Sequence, residues 1–128
     1  AMYPDMVTDA EKRIIFMGTQ SHKDTIKYLR SSDCCVFFRE SDRRNNAGFP
    51  TKFTEAHTCG LPVITTDVSD IKEYMTDKNS GCVLNSVQTQ DISAAMLKEA
   101  EKGCRITELK TTFDYKEYTK SCEAWLNG

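Results

Sequence analysis

The residues with the most to offer chemically lie between Asn45 and Asp67, in the stretch NNAGFPTKFTEAHTCGLPVITTD. A small polar loop containing Gly48 runs into Phe49, Pro50, Thr51 and Lys52. Glycine lets a backbone approach a ligand closely and take unusual dihedrals. Proline fits the first turn of a helix, where its missing N–H is harmless. The amides of Thr51, Lys52 and Phe53 would then sit at the positive end of a helix dipole, a natural cradle for phosphate. Lys52 adds a full charge. Glu55, one turn further on, suits the hydroxyls of a ribose. Gly60-Leu61-Pro62 stops the helix and launches a β-branched strand. This pattern suits a diphosphate held on a helix start. A plain strand-to-helix loop with a solvated lysine and glutamate has the same pattern, and the residues alone favour that plainer reading.

Other chemistries find less support. Neither G-x-G-x-x-G nor G-x-x-x-x-G-K-[ST] occurs, and no Ser-His-Asp or Cys-His arrangement is suggested. His57 reads as a packing or surface histidine. Cys34 and Cys35 are adjacent in an apolar run, the other four cysteines are scattered, and no C-x-x-C occurs. Neither His22 nor His57 stands at metal-ligand spacing from a cysteine. The expectation is six reduced thiols in a reducing compartment and no metal. A net charge of -2 without a basic stripe gives nucleic acid no electrostatic support. No apolar run approaches the roughly 18 to 20 residues of a membrane span, and residues 1–9 lack a signal-peptide pattern.

The elements that must position these residues follow from periodicity. The 128 residues suit one domain. RIIFMG (Arg13 to Gly18) reads as a buried strand. Ser21 and Asp24 open a helix whose Ile26 and Leu29 share a face. CCVFFRE (Cys34 to Glu40) reads as a second strand, followed by a helix over about Thr51 to Cys59, the strand PVITT and a short helix from about Ser69. Asn79-Ser80-Gly81 marks a turn into the strand GCVL. A helix with Ile92, Ala95, Met96 and Ala100 on one face follows, closed by Gly103. Asp114 and Glu117 form a capping-box pattern, with Phe113 and Tyr118 as its hydrophobic staple. That last helix is expected to pack on the domain. The order β-α-β-α-β-α-β-α-α predicts an α/β fold: a Rossmann-like parallel sheet of about four strands with helices on both faces.

The segment AGFPTKFTEAHTCGLPVITT resembles the donor-binding segment of group 1 glycosyltransferases, retaining enzymes built from two Rossmann-like domains. The resemblance extends from about Arg13 to Met96. Its Gly-Phe-Pro-Thr-Lys-Phe variant is similar to that of bacterial capsule and surface-polysaccharide transferases. The resemblance implies that Glu55 binds the donor ribose and that Gly48, Phe49, Thr51 and Lys52 hold its diphosphate and sugar. Thr19, Gln20 and Ser21 match a turn that touches the base. The family's first motif glutamate, which contacts the donor hexose, falls at Ala47; Asn46 and Glu40 are the available substitutes.

The resemblance further implies transfer of a hexose from a nucleotide-diphosphate sugar to a hydroxyl acceptor, with retained anomeric configuration and no cofactor. The family's basic pair and its amino-terminal acceptor domain have no counterpart here. The chain therefore reads as part of a carboxyl-terminal donor domain, inactive alone, working in the cytoplasm at the inner membrane face with a membrane-associated acceptor. The family's first two strands would lie between Arg13–Gly18 and Cys34–Glu40. Direct pairing of those two segments is the expected repair, and a dimer through open sheet edges is the alternative. Two other functions compete: a nucleotide-sugar epimerase of the same fold, and a non-catalytic interaction module.

Overall fold

The computed structural model describes residues 14–76, 79–103 and 110–127. Its described elements run α1 (His22–Arg30), β1 (Cys35–Val36), α2 (Arg43–Asn46), α3 (Thr51–Thr58), β2 (Val63–Thr66), α4 (Ile71–Tyr74), β3 (Gly81–Leu84) and α5 (Thr89–Lys102). A 3-10 turn (Tyr115–Tyr118) and α6 (Thr119–Asn127) follow.

The three strands form one parallel sheet in the order β1-β2-β3. Cys35 stands opposite Val63, and Val63 opposite Gly81. β2 is the central strand, and its Val63, Ile64 and Thr65 are buried, as the apolar β-branched run predicts. α3 packs on β2 through Phe53 and Ala56, both fully buried. The floor of the core is aromatic. Phe49, Phe53, Tyr74 and Phe113 meet with ring centroids 5.0 to 6.4 Å apart, and His57 stacks on Phe53 at 5.4 Å. Tilted and edge-on pairs of this kind add about 0.5–1.5 kcal/mol each beyond area burial.

Several expectations need correction. The sheet has three strands among the described residues, where about four were expected. Arg13 lies outside the described residues, and residues 14–18 form no strand and pair with nothing in the sheet. Ile14, Ile15, Phe16 and Met17 are 44 to 84% exposed. A strand exists only where a neighbour satisfies its backbone groups. This run has apolar character but no described partner edge, so β1 keeps an open side.

β1 is also shorter than Cys34 to Glu40. Its pairing continues through isolated bonds, from Phe37 N–H to the Ile64 carbonyl at 3.1 Å and from Arg39 N–H to Thr66 Oγ1 at 3.0 Å. The polar loop after it holds a helical turn, α2, because the Asp42 carboxylate accepts from Asn45 N–H at 2.7 Å. On α5 the buried positions are Ala95 and Glu99, with Ile92 half-buried; Met96 and Ala100 face out.

The chain's last helix differs most. Asp114 caps a 3-10 turn, accepting from Lys116 N–H, and Tyr118 donates to the Thr112 carbonyl at 2.6 Å. Phe113 leaves the expected staple for the aromatic floor, where four rings surround it. All of α6 is exposed, Trp125 at 83%. The expected docking of α6 onto the domain does not occur among the described residues.

The five described cysteines are free; Cys104 lies outside the described residues. Burial pushes the thiols of Cys34, Cys35, Cys59 and Cys82 up. These four are kept protonated by the fold. Their contribution to stability is complete below the unfolded thiol value of about 8.5 and is lost as pH rises through the folded values. Timed alkylation above that pH should modify the exposed Cys122 first and these four slowly. Equal labelling rates, read by mass spectrometry, would contradict their burial.

Candidate functional site

α3 begins at Pro50, whose extended backbone (φ -70, ψ 114) turns the chain into the helix without any side-chain cap. The Phe53 and Thr54 amides both donate to the Pro50 carbonyl, at 3.0 and 3.3 Å. The Phe53 amide is thus engaged inside the helix, contrary to the expected set of three outward donors. Two remain. The amides of Thr51 and Lys52 have no partner among the described residues. Both side chains are exposed, and the Lys52 ammonium makes no ion pair among the described residues.

Gly48 needs no left-handed conformation: it is not among the glycines with positive φ. A Cβ there would meet nothing within 4 Å, so its contribution is open space beside the helix start. Phe49 turns its ring into the aromatic floor, 5.1 Å from Tyr74, which leaves its backbone facing the loop.

Glu55 lies one turn into α3. Its Oε1 stands 3.3 Å from His22 Nδ1, at the first residue of α1. The Glu55 side chain is 29% exposed and that of His22 75%, so the contact is open to a competing ligand. Ser21 caps α1: its hydroxyl accepts from Asp24 N–H and donates to the Asp24 carboxylate at 2.6 Å. Lys27 first, and Ser21 second, hold the Asp24 carboxyl below its usual range. Gln20 folds back and donates to the Met17 carbonyl. Thr19, Gln20 and Ser21 are exposed. The contact between His22 and Glu55 joins the first turn of α1 to the groove that Glu55 lines. Of the residues singled out from the sequence as donor-binding, Glu55 lines it, and Thr19, Gln20, Ser21, Gly48, Phe49, Thr51 and Lys52 do not. That groove has a volume of about 400 Å³, with Ile26, Arg30 and Thr58 on its walls. Arg30 and His22 were not foreseen as its members, since only the packing of α1 on α3 puts them there.

A larger cavity, about 840 Å³, opens at the carboxyl ends of the three strands. Of the candidate site residues singled out from the sequence it holds Glu40 and none of the donor-binding set. Its polar lining includes Glu40 and Ser41 after β1, Thr66 at the end of β2 with Asp67 after it, and Asn85 and Gln88 after β3. Strand carboxyl ends are where open parallel sheets bind ligands, and that rule was the available signal. Of the two residues considered as substitutes for the displaced glutamate, Asn46 is engaged elsewhere. Its amide oxygen accepts from Ser69 N–H at 3.0 Å, and its nitrogen donates to Ser41 Oγ at 3.2 Å. Ser69 sits at φ 51, an unusual backbone for a non-glycine residue, and the Asn46 bond fixes it there. Glu40 faces the cavity.

No group of His, Cys, Asp and Glu among the described residues is arranged to hold a metal ion, and no described helix is long and apolar enough to cross a membrane.

A parallel sheet with helices in its crossovers and loops gathered at the strand ends makes this a Rossmann-like α/β protein. The family described as glycosyl transferases group 1 matches residues 8–120, nearly the whole chain, and the chain belongs to that family. No curated protein shows significant similarity to it, and no solved structure does.

Proposed function

We propose that this chain forms the donor-binding part of a hexosyltransferase. It holds a nucleotide-diphosphate sugar for transfer to a hydroxyl acceptor with retained configuration, at the cytoplasmic face of a membrane, in surface polysaccharide synthesis. One observation carries the reading. Glu55 meets His22, the first residue of α1, at 3.3 Å in one groove, and Glu55 lies on the same helix, α3, whose first turn leaves the Thr51 and Lys52 amides without a partner among the described residues.

The division of labour follows from charge. The diphosphate takes the Thr51 and Lys52 amides and the Lys52 ammonium, which lie at the positive end of the helix. The ribose hydroxyls donate to Glu55, displacing its exposed contact with His22. The base lies along the exposed residues Thr19, Gln20 and Ser21. As the bond to the sugar breaks, negative charge grows on the leaving diphosphate. Fixed amides and an ammonium stabilise that charge without reorganisation.

Calorimetric titration with nucleoside diphosphates tests this. Glu55→Ala should weaken binding by about 1.5 to 3 kcal/mol, the loss of one hydrogen bond to a charged group. Unchanged affinity in that variant would remove Glu55 from the site.

A further inference from the structure

We propose that Asn46 is a positioning residue. Its side-chain amide clamps the loop before α3 to the loop after β2, and so sets the path by which Ala47 and Gly48 enter the bare start of α3. The use of that path by a ligand rests on the donor-binding reading; the clamp itself does not.

Both ends of the amide are engaged. Its oxygen accepts from Ser69 N–H at 3.0 Å, and its nitrogen donates to Ser41 Oγ at 3.2 Å. Chemistry fixes that orientation, because a backbone N–H only donates and must face the oxygen. Asn46 is the last residue of α2, whose Asp42 cap holds Asn45 through its backbone at 2.7 Å and its side chain at 2.9 Å. One short side chain therefore joins two connections at the strand ends: Ser41 and α2 follow β1, and Ser69 follows β2.

A second anchor comes at Phe49. Its ring stands 5.1 Å from Tyr74 and 5.7 Å from Phe53. Tyr74 closes α4, the helix that follows Ser69. The loop is thus pinned twice to the same stretch of chain, by hydrogen bonds at Asn46 and by aromatic contact at Phe49. Ala47 and Gly48 run between the two anchors. A Cβ at Gly48 would meet nothing within 4 Å, so side-chain packing does not hold this stretch and the anchors decide its course. It leads through Pro50 to the amides of Thr51 and Lys52, which have no partner among the described residues.

The anchors differ in kind. Phe49 belongs to the aromatic floor, and its loss would unsettle the core. Asn46 is exposed, so its truncation should free the loop and leave the chain folded. A cleft of about 290 Å³ beside the clamp, lined by Ser41, Asp67 and Asp70, gives the freed loop room to shift. A merely structural role is the competing account. Ser69 sits at φ 51, uncommon for a non-glycine residue, and on that account Asn46 only props it there.

Amide resonances, hydrogen exchange and titrations with uridine and guanosine diphosphate, in Asn46→Ala and in the double variant Asn46→Ala with Ser69→Gly, separate the two. Glycine takes positive φ freely. Without ligand, Asn46→Ala should exchange the Ser69 amide faster and move the resonances of Thr51 and Lys52. A nucleotide that the unaltered chain binds should bind this variant about tenfold more weakly, as follows when the loop keeps its binding path about one-tenth of the time. Adding Ser69→Gly should restore neither property. Thr51 and Lys52 resonances that stay in place in Asn46→Ala would overturn the proposal, because Phe49 alone would then set the loop. Their return with Ser69→Gly would overturn it as well, leaving Asn46 as a prop for Ser69. Unchanged nucleotide affinity in Asn46→Ala would also overturn the positioning role. An unaltered chain that binds neither nucleotide would sink the donor-binding reading, and the ligand-free resonances would still decide the clamp.

Discussion

Replacing Phe53 with alanine should lower the unfolding free energy by about 3 to 5 kcal/mol, the usual cost of deleting a buried aromatic ring. Phe53 is fully buried at the centre of the aromatic floor. Its ring lies 5.7 Å from Phe49, 5.4 Å from His57, 6.2 Å from Phe113 and 6.4 Å from Tyr74. These neighbours come from the loop before α3, from α3 itself, from α4 and from the chain after α5. They cannot all close on the gap, because each is anchored by different backbone. The loss is severe against the roughly 5–15 kcal/mol that holds a typical domain together. Phe53→Leu, which refills most of the volume, should cost under about 1.5 kcal/mol. Equilibrium urea unfolding of the two variants gives the comparison. A loss below about 1 kcal/mol for Phe53→Ala would mean that the floor collapses freely.

The effect would reach the groove that Glu55 lines. Phe53 sits between Lys52 and Glu55 on one short helix. With no side chain capping α3, its position depends on the buried face that Phe53 and Ala56 supply. On the proposed donor-binding reading, nucleoside diphosphate binding should therefore weaken in Phe53→Ala even where the variant stays folded.

How far such relations can be read from sequence depends on their range. β2 and β3 were legible, because an apolar β-branched run bounded by Gly-Leu-Pro or Ser-Gly states its own structure. The Gly103 cap of α5 was legible for the same reason, and it takes the left-handed backbone at φ 59. Ile14 to Met17 carries an equally strong apolar signal and forms no strand, because pairing belongs to two segments and the signal shows one. The placement of Lys52 in the first turn of α3 and of Glu55 one turn on was legible from the loop before the helix. His22 and Arg30 were not, since helix packing brings them from the preceding βα unit. The strand-end cavity was the least legible feature. Glu40, Thr66 and Asn85 are spread over three connections, and no local spacing links them. Phe113 was misread for a related reason: a staple with Tyr118 is a local rule, and the aromatic floor outcompeted it.

Gly81→Ala should be as damaging as the loss of Phe53, about 2 to 6 kcal/mol, by a different route. Two costs add. Gly81 opens β3 at φ 101, a conformation that holds an L side chain only under strain of about 1–3 kcal/mol. A Cβ at this position would also stand 2.0 Å from the Val63 carbonyl oxygen and 2.4 Å from its nitrogen. Overpacking of that kind costs about a further 1–3 kcal/mol. The obstacle is backbone of the central strand, so no side chain can rotate away. Val63 also donates its N–H to the Ser80 carbonyl at 2.8 Å and is the register partner of Gly81. Relief therefore requires β3 to separate from β2 where their pairing begins. Gly103 separates the two costs. It too has positive φ, but a Cβ there meets nothing within 4 Å, so Gly103→Ala should cost only the backbone strain, about 1–2 kcal/mol. Urea unfolding of both variants measures the difference directly. Equal losses would mean that the strands part easily at Val63. A larger loss for Gly81→Ala locates the rigidity of the sheet at this contact. β3 ends at Leu84, which lines the strand-end cavity beside Asn85. A displaced β3 would move that wall.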